Sequence, residues 1–275
     1  MIIMEYVSAI IFGFVQGVTE FLPVSSSGHL LVLHRLLPLP ITDEVAFDVT
    51  LHLATFVAVL WFFRKDVVSL AWRWLRSFKY LPGSLTDLSW LIIFATIPAG
   101  LAGLLWEDVI ETTLRSPLLV AFMLVLVGIL FIVVERVGKQ TQELSQLTFR
   151  QALVIGLAQA IALIPGTSRS GITTISGMGL NLKRTAAIRF SFLLSLPIIA
   201  GAAVKKVPYL FRADLQANDW IIVALAFVSA VLFGWLAIAG LLRFTQKHSL
   251  RAFAYYRFAL AFIIIFLILF TNVFN

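Results

Sequence analysis

Residues 13–28 are echoed, 143 positions later, by residues 156–171. Without a gap, Gly13 falls on Gly156, Gln16 on Gln159, Ser25 on Ser168, Ser27 on Ser170 and Gly28 on Gly171. Five identities in sixteen positions mark an internal repeat, so the chain must be built from two copies of one unit. In the first copy an apolar helix carries Gln16 and Glu20, which share a face with Gly13 at i, i+3, i+7 spacing. Pro23 stops that helix, because it donates no N–H and its ring clashes with the preceding turn. Ser25, Ser26, Ser27 and Gly28 then make a turn that caps a second helix starting near His29.

What surrounds these polar turns decides the environment. The 275 residues are 60% hydrophobic and 13% charged, with a mean hydropathy of +0.99. A soluble domain is about 45–50% apolar and about 25% charged, so the surplus belongs in lipid. At about 20 residues per crossing, the apolar runs predict six full spans, at 46–63, 88–106, 117–134, 186–204, 219–242 and 253–272. Residues 4–37 and 151–182 are too interrupted for comfortable spans and read as re-entrant helical hairpins. The first is ended by Pro38 and Pro40. Without cysteine there are neither disulfides nor thiolate metal sites. No basic residue precedes Arg35, so no signal peptide is expected.

The predicted fold class is therefore an all-α polytopic membrane protein of two repeats, 1–140 and 141–275, each a hairpin plus three crossings. Three is odd, so the two copies must have inverted topology. Charge supports one orientation. The predicted loops at 64–80, 135–150, Lys183 with Arg184, and 243–251 carry thirteen Lys and Arg, against five (Arg35, Arg115, Lys205, Lys206 and Arg212) on the opposite side. The basic side is then cytoplasmic. The net charge of +7 is loop charge rather than a nucleic-acid footprint. In this topology the hairpins enter from opposite faces and their tips meet at mid-membrane, where irregular backbone must line a cavity or be buried.

Charges away from the loops are few, and each is a functional candidate by default. Arg169 lies in a run of small hydroxyl residues and glycines, with Thr167, Ser168 and Ser170, at a predicted helix N-terminus. Free N–H groups and a planar two-point donor suit a phosphate group there. Structurally, Arg169 is also an available partner for Glu20, and both roles are compatible. Gln16 and Glu20 are placed to hold a divalent cation or a water. A serine among Ser25–Ser27 is a candidate nucleophile, with His29 and Glu20 as the available bases; at least one of the three serines is an N-cap. His29 has a capping or packing role as its alternative. Asp48 and His52, spaced i, i+4 on the first full span, are candidate supporting groups. The positions paired with Glu20 and His29 are Leu163 and Ile172, and Arg169 pairs with Ser26. One copy holds acid–base groups and the other the cation, which suits one catalytic centre between the copies.

At these residues the chain resembles the bacterial undecaprenyl pyrophosphate phosphatase family, also called the bacitracin-resistance family. Gln16-Gly-Val-Thr-Glu20 and Pro23-Val-Ser-Ser26-Ser-Gly-His29 match its first signature, and Pro165-Gly-Thr-Ser-Arg169-Ser-Gly its second. The resemblance covers essentially the whole chain, and Gln16 is a variant its pattern permits. It implies hydrolysis of C55-isoprenyl pyrophosphate to the monophosphate, at a site open to the periplasmic side of the bacterial inner membrane. This would recycle the carrier lipid of peptidoglycan synthesis and give resistance to bacitracin, which competes for the substrate. Carried over, Ser26, His29 and Glu20 are the catalytic group, and Arg169 with Ser168, Ser170, Thr167 and Ser27 binds the pyrophosphate. A divalent cation, Mg2+ or Ca2+, is an expected companion of Gln16 and Glu20, while Asp48 is a candidate supporting group by its place on the first span and not by the resemblance. The nucleophile is Ser26, His29 or water. Expected partners are the prenyl pyrophosphate and membrane lipids but no nucleic acid, and a homodimer is one arrangement the sequence allows. The rival readings are an acid-phosphatase-like lipid phosphatase, which lacks its expected downstream histidine because Ile175 stands there, and an inverted-repeat transporter or lipid flippase.

Overall fold

The computed structural model describes residues 2–37, 44–78, 87–212, 215–271 and 274. Pro38, Pro40 and Lys79 lie outside them. The described residues form helices throughout. The first half contains α1 (Ile2–Phe21), α2 (Ser26–Leu36), α3 (Glu44–Phe62), α4 (Arg64–Ser77), α5 (Leu88–Leu105), the short α6 (Glu107–Thr112) and α7 (Pro117–Val137). The second contains α8 (Phe149–Ile161), α9 (Arg169–Gly179), α10 (Arg184–Arg212), α11 (Ala217–Lys247) and α12 (Arg251–Phe270). Side-chain caps fix several starts. The Asp87 carboxylate accepts from Ser89 N at 2.9 Å at the head of α5, and Thr148 and Gln151 form a reciprocal capping box on α8. Pro117 opens α7, where its missing N–H is not needed.

Among the described residues, five helices are long and apolar enough to cross a membrane: α5, α7, residues 184–208 of α10, α11 and α12. The span expected at 46–63 falls in α3, whose apolar part Phe47–Phe62 is shorter. Large apolar side chains such as Leu104, Phe122, Val228 and Phe262 stand exposed on the outer faces of α5, α7, α11 and α12. Water would not tolerate such faces in aggregate, and lipid does. The chain is an all-helical, multi-pass membrane protein.

One expectation is corrected. Residues 64–77, read as part of a basic loop because of Arg64, Lys65, Arg73 and Arg76, are the helix α4. Their charge hid a helical pattern: Val67 and Leu70 pack inward, while Val68, Trp72 and Leu75 lie outward at i, i+4, i+7. The acidic segment with Glu107, Asp108 and Glu111 is likewise helical, in α6.

The interior is organised by two close helix pairs. Helix α1 packs along α11, and α8 along α5. At Gly13 an added Cβ would sit 2.3 Å from Ala226 O, and at its counterpart Gly156 one would sit 2.3 Å from Ala95 O. Backbone approaches backbone at both places because neither residue has a side chain. Far along the bundle, Glu135 accepts from Arg184 Nε and Nη2 at 2.8 and 2.7 Å and from Leu250 N at 2.8 Å. Lys183 pairs with Glu143. The basic segments 135–150, 183–184 and 243–251 therefore gather at one end of the bundle.

Candidate active site

Between α1 and α2, and again between α8 and α9, the chain turns with a serine in the left-handed region. Ser25 has φ 75° and Ser168 φ 70°, a conformation held for side-chain-bearing residues only where the surroundings impose it. Each is an N-cap. Ser25 Oγ accepts from Gly28 N at 3.3 Å, and Ser168 Oγ from Gly171 N at 3.2 Å. Each cap hydroxyl also meets the serine two residues on, Ser27 at 3.1 Å and Ser170 at 3.2 Å. The next residue opens its helix, and here the copies differ: Ser26 begins α2 and Arg169 begins α9.

The two turns brace one another. Gly166 N donates to Ser27 Oγ at 3.0 Å, and Ser170 Oγ donates to Leu22 O at 3.2 Å. Gly166 has φ +90°, and a Cβ there would lie 2.5 Å from Val120 O, so only glycine fits. Behind them lies Arg257 of α12, fully buried. Its guanidinium donates to Pro23 O (3.3 Å) in the first turn and to Gly166 O (2.9 Å) and Thr167 O (3.2 Å) in the second. Two further bonds reach Met123 O and Leu124 O of α7, each at 3.1 Å. All five acceptors are backbone carbonyls. One arginine thus clamps both turns to α7.

Glu20 stands where the copies meet. Its Oε2 accepts from Ser26 Oγ at 2.8 Å and from Gln16 Nε2 at 3.2 Å, and its Oε1 accepts from Arg169 Nη2 at 2.8 Å. Arg169 Nη1 also donates to Ser191 O of α10 at 3.4 Å. The pair is mostly out of water, with side-chain exposures of 13% for Arg169 and 9% for Glu20. His52 of α3 completes the group, its Nδ1 lying 3.2 Å from Gln16 Nε2 and 3.8 Å from Glu20 Oε2. A hydroxyl is therefore hydrogen-bonded to one carboxylate oxygen while the other is held by a guanidinium from the opposite turn. That is the geometry of an activated oxygen nucleophile beside an anion-binding cation.

Glu20, Arg169 and His52 open on a cavity of about 290 Å3 whose remaining wall is largely apolar, with Leu53, Leu163, Ile198 and Ile199. A second, more polar cavity of about 500 Å3 holds Ser27, His34, Arg35, Asp48 and Arg115. Val49, His52 and Lys206 line both.

The remaining expected site residues are placed differently. His29 does not reach Ser26: its Nδ1 lies 2.7 Å from Ser25 O and its Nε2 2.7 Å from Tyr256 Oη, with the two rings stacked at 5.5 Å. Thr167 Oγ1 donates to Ile164 O at 2.7 Å and is fully buried. Ser168 and Ser170 spend their hydroxyls on the turns. Asp48 pairs with His34 Nε2 at 3.0 Å, away from the Glu20 cluster. Reasoning from sequence flagged Arg257 only as a charge in a span and missed its role as a clamp, and of the two supporting groups it named, Asp48 and His52, the structure brings His52 to Gln16 and Glu20. Only the buried position of Arg257 in a span pointed to a role.

No cluster of three or more His, Cys, Asp or Glu suited to a metal occurs among the described residues. Glu20 and Gln16 nevertheless present a carboxylate beside an amide oxygen, Gln16 Oε1, that is buried and has no hydrogen-bond partner among the described residues. One carboxylate and one carbonyl suit an ion such as Mg2+ that takes its other ligands from water and substrate phosphate.

Comparison with known proteins bears on the same residues. The family model for bacitracin resistance protein BacA matches residues 9–263, which include both turns and Arg257. The chain is 46% identical to an undecaprenyl-diphosphatase of Rubrobacter xylanophilus over 94% of this chain and 96% of that protein. It is 43% identical to one of Pelobacter propionicus over 92% and 94%. It is also 40% identical to one of Thermodesulfovibrio yellowstonii over 98% and 99%. A match across nearly the full length, spanning every residue of the Glu20 cluster, means that this chain belongs to the bacitracin resistance protein BacA family.

Proposed function

We infer that the protein is an integral-membrane undecaprenyl-diphosphatase, hydrolysing undecaprenyl diphosphate to undecaprenyl phosphate and inorganic phosphate. The observation that carries the chemistry is Glu20, held between Ser26 Oγ and the Arg169 guanidinium contributed by the other turn. Arg169 binds the non-bridging oxygens of the pyrophosphate, and the prenyl tail leaves toward lipid along the apolar wall. Ser26 Oγ attacks the terminal phosphorus as its proton passes to Glu20 Oε2. Undecaprenyl phosphate is the leaving group. Glu20 passes that proton to the departing undecaprenyl phosphate, and the regenerated carboxylate then deprotonates a water that hydrolyses the phosphoserine, releasing inorganic phosphate as Glu20 returns the proton to Ser26 Oγ. A divalent cation bound by Glu20 and Gln16 Oε1 would supply charge neutralisation at the phosphoryl oxygens. Ser26 is favoured over His29 as nucleophile because both His29 nitrogens are engaged elsewhere.

The proposed architecture is six spans and two re-entrant hairpins in inverted repeats, 1–140 and 141–275. Three observations support it: the matched caps at Ser25 and Ser168, the matched close approaches at Gly13 and Gly156, and the reciprocal bracing of the turns. In the bacterial inner membrane, with the basic end cytoplasmic, the active site opens to the periplasm. The product then re-enters the lipid-carrier cycle of peptidoglycan synthesis. Bacitracin resistance follows because substrate is removed before the antibiotic sequesters it.

Phosphate release from undecaprenyl diphosphate by purified protein in detergent tests the reading. Ser26→Ala is expected to lose on the order of 10³-fold or more in kcat. Glu20→Gln should lose about 10²–10⁴-fold. Acid quenching during turnover should trap phosphoserine in the wild type. Wild-type turnover in both variants would take Ser26 and Glu20 out of the reaction, and lipid translocation by a wild type that releases no phosphate would replace the enzyme with a flippase.

A further inference from the structure

Gln159 of α8 is the repeat partner of Gln16, yet its side chain is used differently. Gln16 spends its Nε2 on Glu20 and His52. Gln159 is 1% exposed, and neither its Oε1 nor its Nε2 has a hydrogen-bond partner among the described residues. A buried amide with every polar atom unmatched is rare in a native protein, because burial removes its water partners and returns nothing. It has no route to relief by withdrawing. One turn earlier Gly156 is pressed against the Ala95 backbone, which fixes α8 at this level. The residue lines the cavity that also contains Glu20, His52, Arg169 and Lys206, none of which bonds its amide. Its hydrogen-bond partners must therefore come from whatever fills that cavity.

We propose that Gln159 is a further substrate-binding residue, its Nε2 donating to a non-bridging oxygen of the phosphoryl group that Arg169 holds and its Oε1 accepting from a water bound there. This rests on the cavity being the pyrophosphate site. A prenyl chain has no hydrogen-bonding atom, so the apolar portion of the ligand cannot satisfy the amide, whereas a phosphoryl group can. A neutral donor also suits this position. Another cation would compete with Arg169 for Glu20, and a carboxylate would repel the ligand.

Gln159→Leu removes the polar atoms at nearly constant volume, and Gln159→Glu keeps the shape but adds charge. Three quantities separate the roles: thermal stability in detergent, kcat/KM for a short prenyl diphosphate, and the Kd of inorganic pyrophosphate. Gln159→Leu should unfold at the wild-type temperature or above it, because an unmatched polar group has been removed. At the same time it should lose about tenfold or more in both kcat/KM and pyrophosphate affinity. Gln159→Glu should lose more than Gln159→Leu in both. A lowered unfolding temperature in Gln159→Leu with unchanged kcat/KM and Kd would mean that the amide only packs, and the proposal would be wrong. If the wild type binds pyrophosphate but releases no phosphate from prenyl diphosphates, the enzymatic reading fails while the Kd comparison still decides the role of Gln159.

Discussion

The turn at residues 23–27 and the turn at residues 166–170 share a serine cap and divide the chemistry, although one is entered through Pro23 and the other through Gly166 at φ +90°. Both bend through a left-handed serine that caps the next helix, both carry a serine two residues on, and both are held by Arg257. They differ at the first helical residue, Ser26 in one and Arg169 in the other, and six residues earlier, Glu20 against Leu163. Matched caps with non-identical side chains are what a single asymmetric centre needs. The shared caps and the Arg257 clamp set where two groups meet, and the divergence makes one group the attacking oxygen and the other its anion clamp. Had both copies kept a carboxylate there, two like charges would repel one another across one largely buried cavity.

The largest effect on this comparison should come from Arg169→Lys. Arginine reaches Glu20 through Nη2 and Ser191 O through Nη1 at once. An ammonium is a point charge without that fork, so it can keep the ion pair but not the orientation. A loss of about 10²–10³-fold in kcat/KM for undecaprenyl diphosphate is expected. Near-wild-type activity would reduce the difference between the turns to charge alone.

Much of this division could be read directly from the chain. The repeat at an offset of 143 brought Ser26 opposite Arg169 and Glu20 opposite Leu163, and the apolar runs located the long helices. The parts that escaped reading share a physical cause: their partners are backbone atoms or distant side chains with no pattern of their own. Arg257 meets five carbonyls, and any residue supplies a carbonyl. The hydroxyls of Thr167, Ser168 and Ser170 fit a phosphate-binding run in sequence. Local caps and turn bonds, which Ser and Thr form readily, claimed them instead. Asp48 and His52 share a helix face at i, i+4, but Asp48 turns to His34 and His52 to Gln16 and Glu20. Helical spacing fixes a face and not a direction across it. In α4, five charged residues concealed an apolar stripe.

A second test addresses what the turns have in common. Arg257→Gln leaves carbonyls of both turns and of α7 without their donor in a buried place. A destabilisation of about 2–4 kcal/mol is expected by unfolding in detergent, with kcat lowered about tenfold as the Ser26–Glu20–Arg169 geometry loosens. Amide hydrogen exchange should speed up at Gly28 and Gly171 together. Loosening of one turn alone would mean that Arg257 serves that copy and not the pair.

The smallest effects should come from the helices that carry the turns. Gly13→Ala and Gly156→Ala each push a methyl group to within 2.3 Å of a carbonyl oxygen, on Ala226 and Ala95 respectively. Backbone cannot swing aside as a long side chain does, so α1 must part from α11, or α8 from α5. Each variant should lose about 1–3 kcal/mol, and the two losses should be alike. Unfolding temperatures in detergent would measure this, and phosphate release should fall only a few-fold in protein that remains folded. Gly17 sharpens the point. Its counterpart is Ala160, so the second copy already carries a Cβ there, while in the first a Cβ would meet Ala230 O at 2.6 Å. Gly17→Ala should therefore destabilise through overlap. Ala160→Gly should cost only the roughly 1 kcal/mol of helix propensity. Equal losses at Gly13 and Gly156 with unequal losses at residues 17 and 160 would place the end of the shared packing between those two levels of the helix, one turn before Glu20.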